Sequence, residues 1–319
     1  MRYINGCTFA FMSPRGFTQH EEWKRSLRLM VESTRCDTVI LPVGALQDHA
    51  YSTKVDYLTP DVMSMDDVRA VAAEVKALGL RLIVKAMVNC RDGYWRAYIR
   101  FFDAYVPTEP TWEQWFASYD EFVVELAKTA QEVGAEMFCL GCEMVGTDHR
   151  AGEWRELIRQ VRQVYTGPLT YNCDKFQENH VTWWDAVDAI SSSGYYPIDQ
   201  LEEHFQRVEQ VAEKFGKPFF FMESGCPSRR GSEYVPNNWS FGGEQSNEAQ
   251  EQWYQAYTDM LLRHPKIRGS VWWDWSAVRL YPIETAATNN GYCVYGKPAE
   301  KVLQAYSRAV AERESKRKD

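Results

Sequence analysis

The sequence predicts an α/β protein folded as a single (β/α)8 TIM barrel, and three observations point to it. Short apolar or β-branched runs recur eight times along 319 residues, a pitch of about 40 residues that suits one strand, one helix and their loops. The runs are apolar on both faces, as strands of a parallel sheet are when both faces are buried. Helical patterns lie between them, so strand and helix alternate along the chain rather than segregate.

Taken in order, the strands are expected at 3–8, 38–42, 81–85, 137–141, 169–172, 189–195, 219–222 and 270–273. Between the second and third, residues 66–78 place Val68, Val71, Val75 and Leu78 at steps of three and four, and Gly79 supplies the stop. Residues 116–133, 154–164, 201–215 and 249–262 read the same way; Gly134 and Gly216 stand at helix ends, and Pro218 opens the seventh strand. Eight units favour closure over an open doubly wound sheet. No GxGxxG follows the first strand and no GxxxxGK[ST] occurs, so nucleotide-binding sheets lose ground. No Pro/Gly/Ser-rich linker divides the chain, which gives one catalytic barrel over 1–311 and a charged C-terminal tail, ERESKRKD, over 312–319. Long loops are expected after strands three, seven and eight, at 89–111, 224–247 and 276–298. They rise from the C-terminal face, where barrel enzymes carry their chemistry.

Composition removes several function classes. With 36 Lys+Arg against 44 Asp+Glu, the net charge of −8 argues against a nucleic-acid partner. No run of 18 apolar residues offers a membrane span. The N-terminus, broken by Asn5, Gly6 and Ser13-Pro14, lacks the charged start, apolar stretch and cleavage site of a signal peptide. The eight cysteines then read as reduced thiols and the location as cytoplasmic. Twelve Trp and eighteen Tyr suit stacking against sugars, and equally the filling of a large core; composition alone leans to the core. No metal and no cofactor is expected. The six histidines show no HxH or HExxH spacing, Cys139-x-x-Cys142 lies along a strand rather than at a helix start, and there is no GxSxG elbow.

Two glutamates stand where chemistry is expected. The fourth strand runs into Cys142-Glu143 and the seventh into Glu223. A carboxylate beside an apolar strand is costly unless it is paired or reactive. Two of them, on strands whose ends face each other across a barrel mouth, suit a retaining glycosidase, which needs a nucleophile and an acid/base about 5 Å apart. For either residue alone, a salt-bridged glutamate closing the barrel top is an equal reading.

The segments MFCLGCEM and FGKPFFFMESGCPS resemble those of clan A glycoside hydrolases, and the chain as a whole is similar to glycoside hydrolase family 113, the β-mannanase family. KAMVNCRDGYWR (85–96), WEQWFASY (112–119), SSSGYYPID, SVWWDWS and GKPAEKVL follow in the family's order. The resemblance implies a retaining endo-1,4-β-mannanase acting on a β-linked oligosaccharide or polysaccharide, with Glu143 as acid/base and Glu223 as nucleophile. It also implies that Tyr196 donates a hydrogen bond to the nucleophile, with Tyr195 read as a core residue. Trp273 and Trp275 share a strand face by alternation, and one of them is expected to form the floor under the sugar being cleaved, with barrel-core packing an equal reading for either ring. Lys85 and Asn89, ending the third strand, are placed to bind sugar hydroxyls, with a solvated strand-end charge an equal reading for Lys85; Trp95 and Arg96 line the cleft, with loop anchoring an equal reading. Cys142 replaces the Asn that many clan members place before the acid/base. Ala86-Met87, Asn89 and Ser224-Gly225-Cys226 are further departures, and all of them surround the sugar subsites rather than the two carboxylates. They keep a β-glucan or xylan substrate open. A non-catalytic carbohydrate-binding barrel and a metal-dependent amidohydrolase barrel are the readings from other classes.

Overall fold

The structure, a computed structural model, describes residues 1–316. Eight strands close in chain order into a barrel. They are β1 (Ile4–Phe9), β2 (Thr38–Gln47), β3 (Arg81–Cys90), β4 (Met137–Cys142), β5 (Leu169–Cys173), β6 (Ile190–Ser193), β7 (Phe219–Ser224) and β8 (Ile267–Trp275). The helices are α1 (Glu22–Thr34), α2 (Met65–Ala77), α3 (Trp112–Glu132), α4 (Ala151–Arg162), α5 (Leu201–Phe215), α6 (Asn247–Arg263) and α7 (Pro298–Ser315). Each follows a strand, except that β5 passes to β6 through a single short turn of 3₁₀ helix, Trp184–Ala186. No described helix is long and apolar enough to cross a membrane. Of the expected tail, residues 312–315 continue α7, and 317–319 lie outside the described residues.

The chain forms two compact units, one of residues 11–20 and 40–192, the other of 1–10, 21–39 and 193 onward. In the first, the sequence pattern of α3 explains its packing. Trp112, Trp115, Phe116 and Tyr119 fall on one face, and all are buried. Trp115 stacks on Tyr119 with ring centroids 4.8 Å apart, while its Nε1 donates to Gln47 and the Tyr119 hydroxyl to the Leu140 carbonyl. Thr111 and Gln114 form a capping box at the start of α3, and Ser64 and Asp67 do so for α2. Burial alone would raise the Asp67 carboxyl, but hydrogen bonds from Ser64, Thr18 and the Gly16 amide hold it below its usual range.

In the second unit, Phe205, Phe221 and Tyr257 pack together between α5, β7 and α6, with Phe205 edge-on to Tyr257 and the other two pairs tilted. The polar atoms among them are satisfied by a hydroxyl chain, Ser270 to Ser224 to Tyr257. The Tyr3 and Tyr306 hydroxyls bond at 2.6 Å, joining β1 to α7. Ten of the twelve tryptophans are buried; Trp95 and Trp239 are the exposed pair. The aromatic surplus is therefore mainly core, as composition suggested.

The strands differ from expectation chiefly in length. β3 continues through Ala86, Met87 and Val88 to Cys90, which makes Lys85 a mid-strand residue. β8 carries a bulge: Cys7 pairs with Trp272 and Phe9 with Trp275, so two steps on β1 oppose three on β8.

Candidate active site

β4 and β7 each deliver a glutamate at the carboxyl end, and each carboxyl is built into its own surroundings. Glu143 directly follows β4, 8% exposed, with φ at 51° in the left-handed region. The register of β4 on β5 slips between Cys139 and Cys142, and the Glu143 amide donates to the Asn172 carbonyl at 2.7 Å. The irregular strand end thus turns the backbone out of the ladder at this residue. A non-glycine residue held there costs on the order of 1–2 kcal/mol, and such strain collects at functional positions.

Two donors from the loop after β3 meet at the Glu143 carboxyl. Trp95 Nε1 lies 3.4 Å from Oε2, and Arg96 Nη2 is also 3.4 Å from it. Arg96 is itself fixed from three sides. Nε donates to the Cys142 carbonyl at 3.0 Å, Nη2 reaches the Cys142 sulfur, and Nη1 donates to Asn89 Oδ1 at 3.0 Å. The residues 89, 95, 96, 142 and 143 named from sequence are therefore one connected cluster. Cys142 is fully buried within it, as a partner of Arg96. Lys85 corrects an expectation: it is neither at a strand end nor exposed. It is fully buried and donates to Asn172 Oδ1 at 3.2 Å, because the apolar run that predicted the strand understated its length.

Two further carboxyls belong to this unit. Asp174 follows β5, and burial, with the charge of Glu143 adding to it, pushes its carboxyl up to about 7 despite Lys175 3.7 Å away. Asp148 receives the Tyr171 hydroxyl at 2.6 Å, and burial pushes it up to about 8. Sequence reasoning passed over both. Asp174 was within reach, since it ends a strand in the same manner as Glu143.

In the other unit Glu223 lies within β7 and is 3% exposed. The Tyr195 hydroxyl donates to its Oε2 at 2.9 Å. The donor was expected from Tyr196. That side chain instead packs on His204 at 4.6 Å and accepts from Arg207 at 3.0 Å, on the α5 side. Neighbouring residues on an extended segment face opposite ways, so the choice between them turns on one position of register. Tyr292 meets the Tyr195 ring edge-on at 6.1 Å and donates to the Pro236 carbonyl.

Asp274, also unforeseen, stands beside the nucleophile candidate: burial, then the charge of Glu223, pushes it up to about 6. It joins Trp273 through a cis peptide bond. The β8 bulge corrects the expected pairing of Trp273 with Trp275. Trp275 is buried, its Nε1 donating to Ser26 of α1 and its ring meeting Tyr295. Trp273 instead meets the exposed Trp239 edge-on at 6.0 Å. Gly225 lets the chain after β7 come close to the Trp273 backbone: a Cβ there would sit 2.8 Å from the Trp273 carbonyl oxygen. The loops after β7 and β8 are tied together by Lys297, whose buried ammonium donates to Ser228, Asn289 and the Gly291 carbonyl; burial lowers its pKa to about 8.

Among the described residues, no group of three or more His, Cys, Asp or Glu side chains is arranged to hold a metal ion. Cys139 and Cys142 lie along β4.

The model of Glycoside Hydrolase Family 113 matches residues 7–297. Among solved structures, the chain is similar to a GH113 β-1,4-mannanase seen in a complex, at 44% identity, with 97% of this chain and 100% of that one covered and a TM-score of 0.95. It is similar to the GH113 β-mannanase of Alicyclobacillus acidocaldarius in complex with ManMIm, at 39% identity over 97% of this chain and 98% of that one, TM-score 0.93. A β-D-glucuronidase of Dictyoglomus thermophilum, 16% identical, shares the fold alone, with a TM-score of 0.65 over 96% of this chain and 51% of that one. No curated protein sequence matches the chain.

Proposed function

Because the chain belongs to glycoside hydrolase family 113, we propose that it is a retaining endo-1,4-β-mannanase in which Glu223 is the nucleophile and Glu143 the acid/base. The observation that carries this reading is the pair of carboxyls at the ends of β4 and β7, each held by neutral or cationic donors. Glu223 attacks the anomeric carbon and forms a glycosyl ester while Glu143 passes its proton to the leaving oxygen. Water then attacks the same anomeric carbon, giving its proton to Glu143, and the bond to Glu223 breaks to release it as carboxylate. Trp95 and Arg96 support the charge on Glu143 once its proton is gone, and Tyr195 orients Glu223. Trp273 forms the floor of the subsite, and Asn89, bonded to Arg96, stands at the sugar-binding edge of the Glu143 cluster. The mannan substrate is proposed from the activity of the family 113 structures it resembles. We read the protein as cytoplasmic, working on manno-oligosaccharides; its eight cysteines, seven of them buried, read as reduced thiols and support this.

A proton NMR time course with β-1,4-mannohexaose tests the proposal. The β-anomer is expected first, mutarotating later. The α-anomer first, or no cleavage, overturns it; cleavage of a glucan or xylan oligosaccharide instead would move the substrate and keep the reaction type.

The tyrosine assignment has its own test. A hydrogen bond to a charged group contributes about 1.5–3 kcal/mol, so Tyr195→Phe is expected to lower kcat/KM by roughly 10- to 100-fold. Tyr196→Phe, which removes the hydroxyl that accepts from Arg207, is expected to stay within about twofold of wild type. The reverse ranking in steady-state kinetics would restore the sequence-based choice.

A further inference from the structure

Aromatic rings are mostly buried in this protein, yet nine are exposed, and six of those nine lie on the loops after β2 and β3: Tyr51, Tyr94, Trp95, Tyr98, Phe102 and Tyr105. Three of them form a row that begins at the acid/base. Trp95 donates to Glu143; Tyr98 meets Trp95 nearly perpendicular at 6.0 Å; Tyr94 meets Tyr98 nearly perpendicular at 6.3 Å. Tyr94 and Tyr98 are each more than 60% exposed, so these contacts leave most of each ring open to solvent.

The row continues onto the loop after β2. Asp92 accepts from the Tyr94 amide and from His49, and His49 stacks on Tyr51 at 5.1 Å. Tyr51 and Phe102 then border a pocket of about 310 Å³ with Arg100 and Glu109 on its wall. Ligand pockets span ~300–1,000 Å³ and pair apolar walls with a few polar groups. Exposed aromatic faces flanked by a donor and an acceptor suit a pyranose, which has apolar C–H faces and a hydroxyl rim.

The direction of the row selects the occupant. An acid/base protonates the oxygen of the leaving group, so the rings that lead outward from Trp95, its donor on the loop after β3, are placed to meet the departing part of the chain. We propose that the Trp95–Tyr98–Tyr94 row and the Tyr51/Phe102 pocket bind the aglycone portion of a β-linked mannan chain, several hexosyl residues beyond the scissile bond. This rests on the assignment of Glu143 as acid/base. It makes long substrates better than short ones, and it gives manno-oligosaccharide acceptors a place to wait for the glycosyl-enzyme.

The test compares two substrates in the same full-length enzyme: β-1,4-mannohexaose, and an aryl β-mannobioside whose leaving group is an activated phenol and carries no aglycone sugar. For Tyr94→Ala and Phe102→Ala, the ratio of kcat/KM on mannohexaose to kcat/KM on the aryl glycoside is expected to fall roughly tenfold, the worth of about one stacked ring. Tyr94→Phe, which keeps the ring, is expected to hold the wild-type ratio. Transglycosylation to added mannobiose is expected to fall with the ratio. An unchanged ratio in both alanine variants overturns the proposal, as does an equal loss on both substrates, which would assign the rings to supporting Glu143. A wild-type enzyme inactive on both substrates overturns the mannanase reading and the aglycone surface with it.

Discussion

Glu223→Gln is expected to lower kcat on mannohexaose by at least about 10³-fold while leaving the fold intact. The amide matches the carboxylate in size and can still accept from Tyr195, so the packing of β7 is kept and the nucleophile alone is lost. The loss falls on kcat as well as kcat/KM, because the ester bond is made only on the path to the transition state. A cavity variant separates a nucleophile from a carboxylate that merely stabilises charge. In Glu223→Ala, added azide takes the vacated space and displaces the leaving group directly, so the product is the α-mannosyl azide, inverted relative to substrate. Mass spectrometry and NMR of the product check this. A Gln variant with near-wild-type turnover, or a β-azide from the alanine variant, would remove Glu223 from the nucleophile's role.

What sequence revealed and what it hid divide along one physical line. Strand–helix alternation is a property of many residues at once, and every one of the eight runs lies at a strand of the barrel. The two glutamates were legible for the same reason: each ends a run whose neighbours are all apolar. The misassigned residues depend instead on the register of a single position. The Tyr195/Tyr196 choice is one step along an extended chain. Trp273 and Trp275 share a face only if β8 is regular, and the bulge against β1 gives Trp275 to α1. A bulge adds a residue without changing composition or periodicity enough to be seen from one sequence. Lys85 was misplaced because a lysine looks like the end of an apolar run, when here it is buried midway along β3 and bonded to Asn172.

The Glu143 cluster shows the other limit. Arg96, Cys142 and Asn89 were each named as possible sugar contacts, and the structure ties all three to one another. Their joint effect is to fix Arg96, and through it one oxygen of Glu143. Distances of seven and forty-six residues along the chain gave no hint of that convergence. The Cys142 departure also changes meaning: its buried thiol takes a contact from the same Arg96 guanidinium that reaches Glu143.

Glu143→Gln is expected to lower kcat/KM on mannohexaose by about 10²–10⁴-fold, the usual worth of a positioned general acid/base. The size of the loss should depend on the leaving group, and this dependence is what identifies the role. A sugar hydroxyl is a poor leaving group and needs the proton. A dinitrophenolate does not, so formation of the glycosyl-enzyme from a dinitrophenyl β-mannobioside should proceed at close to the wild-type rate. The second step, in which water needs a base, is slow with every substrate. A burst of phenol followed by a slow steady state is therefore expected, with the glycosyl ester on Glu223 visible by intact mass. Azide, which needs no base, should accelerate turnover and yield the β-mannosyl azide, of opposite configuration to the product expected from the Glu223 variant. Trp95 and Arg96 still meet a side-chain oxygen in the glutamine variant, so a loss of activity that is uniform across leaving groups would point to damage in the loop after β3 and away from acid/base catalysis.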